Sequence, residues 1–115
     1  MSKSLDDLSP RFQPKAFELL ARLMIANIPV IVVDTLRTQE EQEAYIRAGV
    51  SWTAKSKHLI GEAIDLVPRS VVQYKGWSPW HPDWEKLGAI GEAIGLVWGG
   101  RWRQRDLGHF EIKED

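Results

Sequence analysis

Residues 62–67, EAIDLV, set a carboxylate where a folding chain has least use for one. Asp65 lies among Ala63, Ile64, Leu66 and Val67, in a run with the aliphatic and β-branched character of a core strand. A buried carboxylate is tolerated only when it is paired or bound to a cation. The fold must therefore leave Asp65 on an exposed edge or bring something positive to it. Side chains alternate across a strand, so Ile64 and Leu66 share one face, and Ala63, Asp65 and Val67 the other. The first pair is expected in the core, while Asp65 looks out beside a small alanine that leaves space. In HFEI, residues 109–112, Phe110 and Ile112 point inward by the same rule, and His109 and Glu111 point the other way. If the two strands are neighbours, Asp65 and His109 converge.

His58, seven residues before Asp65, sits in a segment that Gly61 lets fold back onto the strand. Two histidines and one carboxylate are good zinc donors, with the fourth tetrahedral position left for water. Such an ion keeps a net positive charge, polarises carbonyls and lowers the pKa of its water. The ordinary alternative, surface or hydrogen-bonded histidines, stays open on spacing alone. His81 precedes a helix-opening proline and reads as a turn residue. Asp106 stands three residues before His109, which in a regular strand puts the two on opposite faces. A turn at Gly108 brings Asp106 to the same side, where a carboxylate serves as general base and then acid. The competing reading is a loop aspartate paired with Arg103 or Arg105.

The rest of the chain bounds the answer. Its 115 residues read as one domain, 1–115, able to fold without staples. The absence of cysteine excludes disulfides and thiolate chemistry. A formal net charge of −1 argues against a dedicated nucleic-acid binder. No apolar leader or membrane-spanning run is visible, so manufacture in a cytoplasm is expected. The six tryptophans read chiefly as core enlargement, with the lining of a groove as the alternative.

Ser9-Pro10 reads as an N-cap and first helical residue, followed by helical spacing through Phe12, Ala16, Leu19, Leu20 and Leu23 and a stop at Asn27. VIVVDTL reads as a buried strand. Thr38 and Glu41 form a capping box for a second helix that Gly49 ends, and residues 50–61 read as loop. His81-Pro82 opens a third helix that ends near Gly95. LVW and HFEI are short strands joined by GGRWRQRDLG. The expected fold is α+β: two to three helices on a small, mostly antiparallel sheet carrying the zinc site.

Four blocks in order carry a resemblance. SKHLIGEAID looks like the S-x-H-x-x-G-x-A-x-D signature of the zinc peptidases that include D-alanyl-D-alanine carboxypeptidases, dipeptidases and phage L-alanyl-D-glutamate endolysins. DLGHFE resembles the second signature of that family. GLVWGGRW and DTLRTQEEQ are similar to further blocks of its endolysin branch. The resemblance implies His58, Asp65 and His109 as zinc ligands and Asp106 as catalytic acid/base. It implies Arg37 as the residue that steadies substrate and oxyanion, and Ser56 as a substrate contact. Trp98 and Glu111 fall in matched blocks without a firm role; a hydrogen bond from Glu111 to a ligand histidine is one option, and a surface ion pair is the plain alternative for Arg37. Asp106, where dipeptidases carry glutamate, favours the endolysin side. Arg101, with Arg103 and Arg105, departs from the pattern and makes a local basic cluster.

The expectation is a monomeric zinc peptidase of the peptidoglycan stem peptide, cutting the L-alanyl-D-glutamate bond. It would act at the cell wall after synthesis in a host cytoplasm, without a separate wall-binding domain. A D-Ala-D-Ala carboxypeptidase and a non-catalytic metal- or wall-binding module are the alternatives.

Overall fold

A computed structural model describes residues 2–51, 53, 55–74 and 76–114. Among these, four strands form one antiparallel sheet, with helices supplying the rest of an α+β fold. In chain order the elements are α1 (Gln13–Ile25), β1 (Val30–Asp34), α2 (Gln39–Arg47), β2 (Ala63–Pro68), α3 (Arg69–Gln73), α4 (Asp83–Ala93), β3 (Val97–Trp98) and β4 (His109–Glu111). The sheet order is β1-β2-β4-β3, which makes β2 and β4 the inner pair. No described helix is long and apolar enough to cross a membrane.

The expected core face of α1 is buried: Phe12, Ala16, Leu19 and Leu23 pack with Ile64, Leu66, Leu87, Trp98 and Phe110. Its start differs from expectation. Ser9 does act as a cap, its hydroxyl accepting from the Phe12 amide, but it caps a preceding turn and Pro14, not Pro10, falls in the first helical turn. Asn27 ends the helix in the left-handed conformation, at φ 59°, which asparagine tolerates better than most residues. The capping box of α2 is formed by Thr38 and Glu41 as expected.

Three expectations need correction. VIVVDTL is not a buried strand throughout. As the sheet edge, β1 is only partly covered, and Ile31 is exposed. Residues 50–61 are not all loop, because Lys57–Ile60 winds one 3₁₀ turn; Trp52 and Ala54 of that stretch lie outside the described residues. A fourth helix, α3, follows β2 directly. The tryptophans divide: Trp84 and Trp98 are core, Trp77 and Trp80 are exposed, and Trp102 is half-buried.

Strand β2 is covered on both faces, with Ala63, Ile64, Leu66 and Val67 all buried. The side beside Asp65 is therefore no open surface, and the electrostatic demand made by its carboxylate is real.

Candidate metal centre and its cleft

The sheet register brings the two inner strands' polar residues together. Asp65 of β2 is the direct cross-strand partner of His109 on β4. His58 arrives from the 3₁₀ turn, whose start is capped by the Ser56 hydroxyl accepting from the His58 amide at 3.2 Å. Gly61 closes that turn at φ 69°, where a Cβ would fall 2.9 Å from the Asp7 carbonyl oxygen and the Ser9 nitrogen. Only glycine fits both constraints. His58, Asp65 and His109 each offer one donor atom, all within 4.8 Å of one another, a grouping that could hold a metal ion.

Hydrogen bonding fixes which atoms those are. His58 Nδ1 lies 2.7 Å from the Thr35 carbonyl, an acceptor only, so Nδ1 must donate and Nε2 carries the lone pair. That Nε2 is 3.1 Å from Asp65 Oδ1, yet it is buried without a hydrogen-bond partner. His109 Nε2 lies 2.8 Å from Glu111 Oε1 and donates to it, which turns Nδ1 toward Asp65 Oδ1 at 3.1 Å. Two imidazole lone pairs and a carboxylate oxygen thus face one point. Three acceptors cannot satisfy one another; a cation satisfies all three. Without a metal, a proton takes that role. Burial works against charge on His109, but hydrogen bonds to Asp65 and Glu111 outweigh it and push the imidazole up to about 9. Burial likewise opposes ionisation of Asp65, and the adjacent imidazoles of His109 and His58 still hold it well below the usual carboxylate range.

The other oxygen of Asp65 is held from behind by Arg37. Its Nη2 donates to Asp65 Oδ2 at 3.0 Å, its Nη1 to Gln42 Oε1 at 3.0 Å, and its Nε to the buried carboxylate of Asp34. The guanidinium lies over the Tyr45 ring, 4.5 Å from the centroid, and the Arg37 amide donates to the His58 carbonyl at 3.0 Å. Arg37 is therefore no surface helix-entry residue. Two participants had no role in the sequence reading: Asp34, and the fully buried Gln42, which donates onward to Ser51 Oγ and the Thr53 carbonyl. The signal for Gln42 was present, as the last residue of the block DTLRTQEEQ.

Asp106 is on the same side as the donors. Its Oδ2 is 3.8 Å from His109 Nδ1, and its side chain is 44% exposed. The swing comes from a turn in which the His109 amide donates to the Asp106 carbonyl. Gly108 permits it, since a Cβ there would lie 2.3 Å from the Leu66 carbonyl oxygen. Burial, then the nearby charge of Asp65, raises the Asp106 carboxyl above its ordinary pKa. Asp106, His58, His109, Arg37, Ser56 and Glu111 all line one cleft. Trp102 forms a wall, its ring 5.1 Å from that of His109. His81 is elsewhere, with Nδ1 accepting from the Asp83 amide at the start of α4.

Comparison with known proteins finds peptidases similar to this chain. An L-alanyl-D-glutamate peptidase of Listeria phage A118 is 36% identical over 77 residues, covering 66% of this chain and 27% of that protein. The chain thus spans about a quarter of the phage relative's length. The peptidoglycan L-alanyl-D-glutamate endopeptidase CwlK of Bacillus subtilis (strain 168) is 27% identical over 123 residues, covering 92% of this chain and 74% of CwlK. Among solved structures, the L-Ala D-Glu endopeptidase ChiX of Serratia marcescens matches with a TM-score of 0.72 at 26% identity, over 95% of this chain and 83% of that one. Residues 50–112, a span that holds all three donors and Asp106, match a peptidase M15 family model described as D-alanyl-D-alanine carboxypeptidase, and the chain belongs to that family.

Proposed function

We propose that this chain is a zinc-dependent peptidase of the peptidoglycan stem peptide that cuts the L-alanyl-D-glutamate bond. The observation that carries the reading is the convergence of His58 Nε2, Asp65 Oδ1 and His109 Nδ1 on one point beside the half-exposed Asp106. The names of the phage, Bacillus and Serratia relatives supply the bond. The two nitrogens and one oxygen suit zinc, which when bound there contributes Lewis-acid chemistry and acidifies water.

The chain's own residues do the rest. Asp106 takes the proton of the attacking water and returns it to the leaving amine, a role helped by a carboxyl pKa displaced upward toward working pH. Arg37 has five N–H donors, and its bonds to Asp34, Gln42 and Asp65 use three of them. The remaining two stabilise charge developing on the scissile carbonyl oxygen. Ser56, beside the cleft, contacts the substrate backbone through its hydroxyl. Glu111 holds the His109 ring in the tautomer that presents Nδ1.

Digestion of purified peptidoglycan with and without a chelator tests the reading. New N-terminal D-glutamate, abolished by chelation and restored by zinc, is the expected result. Release of free D-alanine would move the chain to the carboxypeptidase chemistry that the matching family model is named for. Zinc binding without cleavage would make it a binding module. Asp106→Ala should retain zinc and lose about 10²- to 10⁴-fold in rate, whereas His109→Ala should lose zinc and activity together. Retained hydrolysis in Asp106→Ala would remove that residue from the mechanism.

A further inference from the structure

The arginines at 101, 103 and 105 form one basic cluster in the sequence, and the fold disperses it. Arg101 meets Glu92 at 3.1 Å and Glu85 at 3.5 Å, and lies over the Trp98 ring at 4.9 Å. Arg105 donates to the Gly100 carbonyl at 2.9 Å and sits 3.6 Å from Glu85. Both are fastened to the surface of α4 and its neighbours. Arg103 is exposed and pairs with no carboxylate among the described residues. It lines a groove with Gln104, Thr53 and Trp102. Thr53 and Trp102 also line the cleft that holds His58, Asp106 and His109, so the groove continues from the metal centre past the Trp102 ring.

Charge along this path is unevenly committed. Arg37 is engaged by Asp34, Asp65 and Gln42, and Lys57 by Glu114. Lys55, at the metal end, is exposed and has no carboxylate partner among the described residues, but an ammonium is a strongly hydrated point charge. A guanidinium presents a planar fork that matches both oxygens of a carboxylate. The apolar face of Trp102 offers the methylene part of an acidic residue somewhere to lie.

We propose that Arg103 is a specificity residue that receives a free carboxylate of the peptide substrate, on the far side of Trp102 from the reacting bond. This rests on the peptidase reading above and deepens it: the preferred substrate is an acidic peptide, and the same peptide with that carboxylate amidated is a poorer one.

The test uses two synthetic L-alanyl-D-glutamyl peptides extended beyond the glutamate, identical except that the carboxylate at the far end of the leaving segment is a carboxamide in one. Hydrolysis by the zinc-loaded protein and direct binding by calorimetry are both measured, for the unaltered chain, Arg103→Gln and Lys55→Gln. The unaltered chain should prefer the carboxylate peptide about tenfold, the scale of one charge-assisted hydrogen-bonded contact. Arg103→Gln should erase that preference by raising KM and Kd for the carboxylate peptide alone, with kcat unchanged, while Lys55→Gln keeps it. Equal losses on both peptides, an unchanged preference in Arg103→Gln, or an equal effect of Lys55→Gln would overturn the assignment, as would failure of the unaltered chain to bind either peptide. Binding that depends on Arg103 without hydrolysis would sink the peptidase reading and leave the carboxylate subsite standing.

Discussion

Each candidate metal donor is aimed by a partner that is itself fixed. His58 is oriented by the Thr35 carbonyl, His109 by Glu111, and Asp65 by Arg37. Donors held this way need little reorganisation to meet an ion, which is why partners of ligands affect metal affinity so strongly. Glu111→Ala should therefore weaken zinc binding about 10- to 100-fold, read by competition with a chromophoric chelator, while Glu111→Gln retains an acceptor for Nε2 and loses less. Unchanged affinity in Glu111→Ala would mean that strand β4 alone orients His109. The sequence exposed part of this arrangement. The alternation in EAIDLV and HFEI placed Asp65, His109 and Glu111 on one side, because strand periodicity is a property of the backbone. The Thr35 carbonyl was not legible, since a main-chain acceptor has no residue signature. Nor was Asp34 as a partner of Arg37, since an aspartate at a strand end reads equally well as a turn residue.

Helix α4 shows how an element is placed by what it lacks. Gly88 and Gly91 face the sheet, and a Cβ at either would fall 2.2 Å from a Trp98 ring atom or 2.3 Å from a Phe110 ring atom. Glycine in a helix interior costs about 1 kcal/mol relative to alanine, so propensity alone predicts that alanine stabilises both positions. Packing predicts the reverse, because large rings in a filled core cannot give way cheaply. Gly91→Ala should lower stability by about 1–3 kcal/mol net, seen as a lower urea midpoint at unchanged slope. A higher midpoint would show that Phe110 repacks freely. Phe110 adjoins His109, so the same variant tests how closely the core sets the height of β4 under the site. The ends of α4 were readable from Pro82 and Gly95; its glycines were not, because the sequence does not show which rings lie opposite. Helix α3 escaped because five residues are too few to display a helical period, and β1 was misjudged because an apolar run looks alike in the centre and at the edge of a sheet.

Across the whole molecule, the two ends of the chain are joined beside the turn that carries His58. Arg11, ahead of α1, donates from Nε to Glu62 at 2.7 Å and from Nη2 to Glu114 at 3.2 Å. Lys57, adjacent to His58, pairs with the same Glu114, and the Ile112 amide donates to the Glu62 carbonyl. Arg11 and Glu114 are nearly the full length of sequence apart, so their attraction opposes fraying of both ends at once. The hydrogen bond from Arg11 outweighs the cost of burial and holds Glu62 below its ordinary pKa, and the bond from Lys57 does the same for Glu114. A carboxylate with a depressed folded pKa contributes stability that is fully present above its unfolded value and is lost as pH falls through the folded one. The clasp should therefore stabilise the fold at neutral pH and fail in acid. Arg11→Gln should lower Tm near pH ~7, and its difference from the unaltered chain should shrink as pH falls below the ordinary glutamate value of 4.5 and through the depressed folded values. Added salt should shrink it in the same direction at neutral pH, since Arg11 is largely exposed and screening reaches it. A difference that stayed constant from pH ~7 to about pH 3 would assign the effect to packing of the arginine's methylenes against the turn, and would leave the ends of the chain joined by shape instead of charge.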